Sequence, residues 1–317
     1  MEMKARIINY LLKIPFLKRI IALIKTIIIP GFNGVPIFDV IVFFLKRFNE
    51  NDLQTRARAV AFSLFLTIFP TIIFLFTLIP YIPIEDFQLQ VLQLLREFLP
   101  ASTYDAAYTT IEDIVSHQRG GLLSFGFLFA LFVSADGVLT LILWFNKSYH
   151  GSHQRSMYKQ RLIAIGLTIM LALFSFLAIT LLLLNEVAIS FLVKHHLLTN
   201  NIQYFLLQGL KWLVVVSLFF CGISLLYFFG PSHRKKIFFI NAGATLATLL
   251  VVLTSLGFNF FITNFASYNK VYGSIGTLII ILIWIYLNSF VLLVGYELNV
   301  AIEHATNSRK KKITLDS

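Results

Sequence analysis

The chain has 317 residues, of which 58% are hydrophobic and 13% charged, with 33 Phe, a net charge of +11 and a mean hydropathy of +0.81. An average soluble domain carries about 25% charged residues, so this composition excludes a water-exposed surface over the whole chain. The single Cys221 excludes a disulfide framework and a cysteine-rich metal site; set in an apolar run, it reads as a small packing residue.

Residues 1–29 alternate basic and apolar positions. Lys13, Lys18, Arg19 and Lys25 recur too often for a membrane crossing, and Pro15 interrupts the segment. This pattern fits helices lying on an anionic leaflet. No uninterrupted apolar core precedes a small-residue cleavage site, so a cleaved signal peptide is not expected. Residues 36–48 (PIFDVIVFFLKRF) are too short to span and predict a further interfacial helix leading into the first crossing.

Six apolar runs then follow that are long enough to cross as helices, at about 58–80, 121–144, 162–184, 205–228, 238–261 and 274–298. The expected fold is therefore all-α and polytopic. Its three parts are a basic N-terminal segment (1–55), a six-helix membrane unit (56–303) and a basic tail (304–317). Between the first two crossings, 81–119 carries six acidic residues and two amphipathic patterns separated by Pro100. It predicts a helical hairpin outside the membrane, either lining an entrance or simply solvated.

Of the 26 Lys and Arg, 21 fall on one side if the N-terminus is cytoplasmic. That split places both termini in the cytoplasm. It also accounts for the basic balance by topology and anionic lipid, with no need of nucleic acid.

Ionisable and polar residues inside the crossings are the candidate functional set, since each costs insertion energy. Asp136, in LFVSADGVLTL, reads as part of a polar pathway or a proton-coupled carboxylate, or as an interhelical anchor paired with a base such as Arg58. Ser134, Ala135 and Gly137 beside it allow close helix approach. Glu297 lies near the inner end of the last crossing, as a pathway residue or as a snorkelling interfacial carboxylate. Tyr286 and Glu297 are eleven residues apart, about 20° around a helix, and share one face. Asn288 and Asn299 share another, nearly opposite, which predicts a central place for this helix. Arg56 and Arg58 flank the first crossing as anchors or salt-bridge donors, and Pro70 predicts a kink within it. Asn241, Asn259, Gln208 and Lys211 complete the inventory.

Enzyme signatures are missing: there is no phosphate loop, nucleophile elbow or HExxH motif. His150 with His153 and the pair His195–His196 fall in loops on opposite sides, poor ground for a metal site. Neither cofactor nor catalytic residue is expected.

Four stretches resemble the YihY/BrkB family of bacterial inner-membrane proteins, once labelled ribonuclease BN. They are RARAVAFSLFLTIFP (56–70), GLLSFGFLFALFVSADGVLTLILWFNKSY (121–149), LYFFGPSHRKKIFFINAGATLATLL (226–250) and ITNFASYNKVYGSIGTLIIILIWIYLNSFVLLVGYELN (262–299). In the last, Tyr272, Gly273, Ser274, Gly276, Gly295, Glu297 and Asn299 stand at family positions. Asp136 departs from the family, whose members often carry an amide or a base there. The resemblance implies a six-helix membrane protein of unsettled activity. The expected function is a passive or ion-coupled transporter, channel or lipid-handling protein; the alternative is a structural or assembly factor of the envelope. A homo-oligomer is compatible with either, and no substrate is indicated.

Overall fold

The structure, a computed structural model, describes residues 26–27, 29, 31–32, 34–50, 52–81, 88–90, 92–93, 108–109, 111–114, 117–118, 120–148, 155–194, 201–232, 239–264 and 267–316. Among them every long element is helical and none is a strand. The helices are α1 (Ile37–Glu50), α2 (Leu53–Leu78), α3 (Gly120–Lys147), α4 (Met157–Lys194), α5 (Asn201–Phe229), α6 (Ala242–Asn264) and α7 (Ser267–Asp316). Six of them, α2 to α7, contain stretches long and apolar enough to cross a membrane. The basic segment 1–25 and most of the hairpin segment 82–116 lie outside the described residues.

Helix boundaries depart from the sequence reading where local chemistry dictates. The fifth crossing begins at Ala242 rather than 238, because Asn241 caps it: its Oδ1 accepts the Ala244 N–H at 2.7 Å. The last helix runs for 50 residues, about 75 Å, and so extends well beyond the roughly 30 Å of hydrocarbon at its basic end. There its apolar stripe, Ile302 and Ala305, is covered by Phe32, Val35 and Val40 of the N-terminal segment and α1. Helix α1 is thus packed against α7 along one face. Pro70 sits inside α2, which stays helical on both sides of it.

Each crossing packs on its neighbour in sequence, and α7 closes onto α2, giving a ring of six. The last helix is one stave of this ring rather than an axial post; its Glu297 face meets α1 and α2, and its Asn299 face meets α6. Crossing of α6 and α7 is very close at Gly243 and Gly295, where a Cβ on either would strike the other's carbonyl oxygen.

Packing is unequal along the ring. The main buried cluster draws on the basic ends of all six crossings, from Ala57 and Val60 of α2 to Val294 and Val300 of α7. Its centre is aromatic: Phe145 of α3 stacks on Tyr296 of α7 at 4.1 Å, and Tyr227 of α5 lies edge-on to both at 5.5 Å. Toward the other end, no described residue is buried in 62–74, 124–129, 168–177, 205–214, 249–263 or 278–288. A small second cluster, Ile79 with Leu92, closes part of that far end.

Candidate functional site

Glu297 is the most buried charged side chain among the described residues, at 1% exposure. Three elements bring donors to it. Arg47, in the last turn of α1, donates from Nε to Oε2 at 2.7 Å, and Arg56 of α2 donates from Nη1 to Oε1 at 3.4 Å. Ser148, just past the end of α3, donates its hydroxyl to Oε1 at 2.6 Å. The donors are tied together as well: Arg47 Nη2 donates to the Ser148 carbonyl at 2.6 Å, and Arg56 Nη1 to Ser148 Oγ at 3.1 Å.

The local backbone explains how two arginines reach one carboxylate. Asp52, between α1 and α2, adopts the left-handed conformation with φ 42°, which a short polar side chain tolerates. The chain therefore turns sharply, and its carbonyl accepts the Arg56 N–H as α2 begins. Arg47 before the turn and Arg56 after it then point at the same end of α7. Beside them the Arg56 guanidinium lies 5.3 Å from the centre of the Trp144 ring, and Lys147 Nζ lies 4.8 Å from it.

Two open alternatives are decided here. Glu297 is not a snorkelling carboxylate, because its oxygens point into protein, where an unpaired charge would cost several kcal/mol. Arg56 is likewise not an interfacial anchor; at 6% exposure it belongs to the core, while Arg58 is exposed. Arg47 and Ser148 escaped the sequence reading, since Arg47 counted only as one of many positive charges. The remaining signal for it was its place on the polar edge of a short amphipathic helix.

Asp136 does have a basic partner, but Arg161 of α4 rather than Arg58. Arg161 Nη1 donates to its Oδ1 at 2.8 Å and Nη2 to the Phe132 carbonyl at 3.0 Å, with the guanidinium 3.9 Å above the Phe132 ring. This pair lies on the flank of the bundle, with the Asp136 side chain 51% exposed. Gly137 beside it faces α2, where an added Cβ would meet Leu64. Asn241 and Asn299 meet in a separate network: Asn299 Nδ2 donates to Asn241 Oδ1 at 2.7 Å, and its Oδ1 accepts the Gly243 N–H at 2.8 Å. The other members are not drawn in. Asn288 donates to the Trp284 carbonyl of its own helix, Asn259 is exposed, and Tyr286 lies near Phe290. Gly276 is buried, whereas the surroundings of Tyr272, Gly273 and Ser274 lie outside what the structure describes.

The basic end is also lashed together by its loops. Arg155 reaches the C-terminal end of α5, donating to the carbonyl of its last residue, Phe229, and to those of Gly230 and Pro231 just beyond it, at 2.9–3.2 Å. Asn146 accepts the Ser232 N–H at 2.6 Å and donates to Gln160.

The chain matches the family described as Virulence factor BrkB over residues 44–315, which includes every residue of the Glu297 site. It is similar to the ribonuclease-like protein YfkH of Bacillus subtilis (strain 168), with 29% identity over 84% of this chain and 96% of the relative. It is also similar to UPF0761 membrane proteins. That of Vibrio campbellii (strain ATCC BAA-1116) is 27% identical over 82% of this chain and 81% of its own length. NTHI0384 of Haemophilus influenzae (strain 86-028NP) is 27% identical over 81% and 92%. No solved structure matches the chain. With a family match over most of its length and six crossing helices, the chain is a multi-pass integral membrane protein and belongs to the BrkB family.

Proposed function

We propose that the protein is a passive or ion-coupled transporter of the bacterial cytoplasmic membrane, with both termini in the cytoplasm and its cytoplasmic end closed. The observation that carries this reading is the asymmetry of packing. Aromatic and ionic layers fill the basic end of the ring, while in the other half long stretches of every crossing hold no buried residue among those described, with only scattered buried positions such as Thr77, Ala178 and Gly276. A purely structural bundle gains stability by packing its whole length, whereas alternating access needs one end closed and the other loose. The Glu297 cluster is then an inner gate. Its bonds join α1, α2, α3 and α7, and opening requires these elements to separate.

The ribonuclease-like name of the Bacillus relative is not carried over. Both oxygens of Glu297 accept hydrogen bonds from its neighbours, and among the described residues no three His, Cys, Asp or Glu side chains gather in a metal-binding group.

Flux from proteoliposomes, screened over small anions, cations and fluorescent lipids, tests the proposal. Transport that rises when Arg47→Ala loosens the inner gate supports it. A folded, reconstituted protein that moves none of them leaves an assembly or scaffold role instead.

A further inference from the structure

The ion pair of Asp136 with Arg161 lies at an unusual depth. Asp136 falls in the middle of the 24-residue apolar span Ser124–Lys147, about 16 Å from the basic end of α3 and so near the midplane of the hydrocarbon. Its side chain is half exposed on the flank of the bundle. Arg161 stands only four positions after Met157, where the span of α4 begins. From there a long cation ordinarily reaches back to the nearby membrane surface. Arg161 instead points inward, to Asp136 Oδ1 and the Phe132 carbonyl.

Both groups keep unused bonding capacity. Asp136 Oδ2 has no partner among the described residues. Of the five guanidinium N–H groups, two are engaged and Nε is buried without an acceptor. One hydrogen is left on each terminal nitrogen. An aromatic stripe adjoins the pair: Phe125, Phe129, Phe132 and Asp136 follow at intervals of four, three and four, within about 60° of the surface of α3. All three rings are exposed, and Phe125 stacks on Phe129 at 5.9 Å.

We infer that this flank of α3 and α4 is a dimer interface, and that its occupant is a second copy of the chain. The occupant must offer both a cation and an anion at mid-membrane depth. Lipid headgroups lie about 15 Å away at either surface. A second copy inserted in the same orientation is related to the first by a two-fold axis along the membrane normal, which brings equal depths together. Asp136 then accepts from the partner's Arg161, and Arg161 donates to the partner's Asp136. The result is a closed cycle of alternating charges, with the aromatic stripes packed beside it. Because both signs lie on one patch, the patch is complementary to itself. The dehydration that usually offsets a buried ion pair is incurred when each chain enters the membrane, so these added contacts favour association. The interface goes beyond the transport reading and does not depend on it.

Two differently tagged full-length copies, co-expressed and purified together from membranes, test this. Wild type should capture wild type. The exchange of Asp136→Arg with Arg161→Asp keeps the pair within each copy but sets like charges against the wild type. Exchanged copies should therefore capture each other and not the wild type. Should the exchange variant not fold, Asp136→Asn replaces it and should weaken self-capture about tenfold or more. In a Cys221→Ser background, oxidation should join two copies through Phe129→Cys. It should not do so through Phe260→Cys, equally far from the basic end of its own helix, α6. Capture of exchanged copies by wild type as efficient as that of wild type by itself overturns the inference. So does a folded monomer by light scattering, or cross-linking through Phe260→Cys alone. A monomer that retains phospholipid until Asp136→Asn removes it assigns a lipid cover, and a Phe129→Cys adduct with another protein assigns a foreign partner; either result also overturns the inference. A dimer without flux retains the interface and removes only the transport reading.

Discussion

At the scale of single residues, the buried charges and the flank charges of this membrane protein obey different energetics. Glu297 is enclosed, and its removal leaves two guanidiniums in the core without their counter-ion. Glu297→Ala should therefore lower stability by about 3–5 kcal/mol, as read from unfolding titrations in micelles. Arg58→Ala, at an exposed site on the same helix as Arg56, should change it by no more than about 0.5 kcal/mol. Asp136 lies between these extremes: its carboxylate is half exposed and held by one arginine. Asp136→Ala should cost clearly less than Glu297→Ala in the same titration, and parity between the two would contradict the difference in burial.

Contact between elements is decided by small residues. Gly243 and Gly295 let α6 and α7 cross with their backbones nearly touching, and an added methyl at Gly295 would also strike Ala247 and the Tyr227 hydroxyl. That hydroxyl donates to the Leu292 carbonyl at 2.6 Å, so displacement disturbs the aromatic centre as well. Gly295→Ala should destabilise by about 1–3 kcal/mol through overpacking. Gly209→Ala, with nothing within 4 Å, should be neutral or stabilise its helix by about 0.5–1 kcal/mol. Equal effects at the two glycines in the same micelle titration would disprove the close crossing.

For the whole molecule, the ring is dense at its basic end and loose at the other. In a Cys221→Ser background, cysteines at Asn259 and Asn288 should react with a small aqueous thiol reagent added from the side opposite the basic end. Cysteines at Asn299 and Glu297, in the packed half, should not. Silence at Asn259 and Asn288, with loop controls labelled, would mean that the loose half faces lipid alone. In the proposed cycle these reactivities reverse when the inner gate opens.

Six crossings, the side on which Lys and Arg accumulate, and a last helix polar on two faces were readable from the residues alone. Transfer into hydrocarbon is summed residue by residue along a helix, and charge asymmetry is counted loop by loop, so neither needs a partner. The eleven-residue spacing that pairs Tyr286 with Glu297 and Asn288 with Asn299 is likewise a property of one helix. Which polar groups meet was decided only by the tertiary structure. Arg47 and Glu297 are 250 positions apart, and they join because a left-handed Asp52 folds α1 back while α7 closes the ring onto α2. Asp136 chose Arg161 over Arg58 for a similar reason: α4 lies against α3 with its first turns at the right depth, while Arg58 points away from the bundle. Ion-pair energy falls steeply with distance and depends on burial, and both are set by how helices are ordered and rotated about one another.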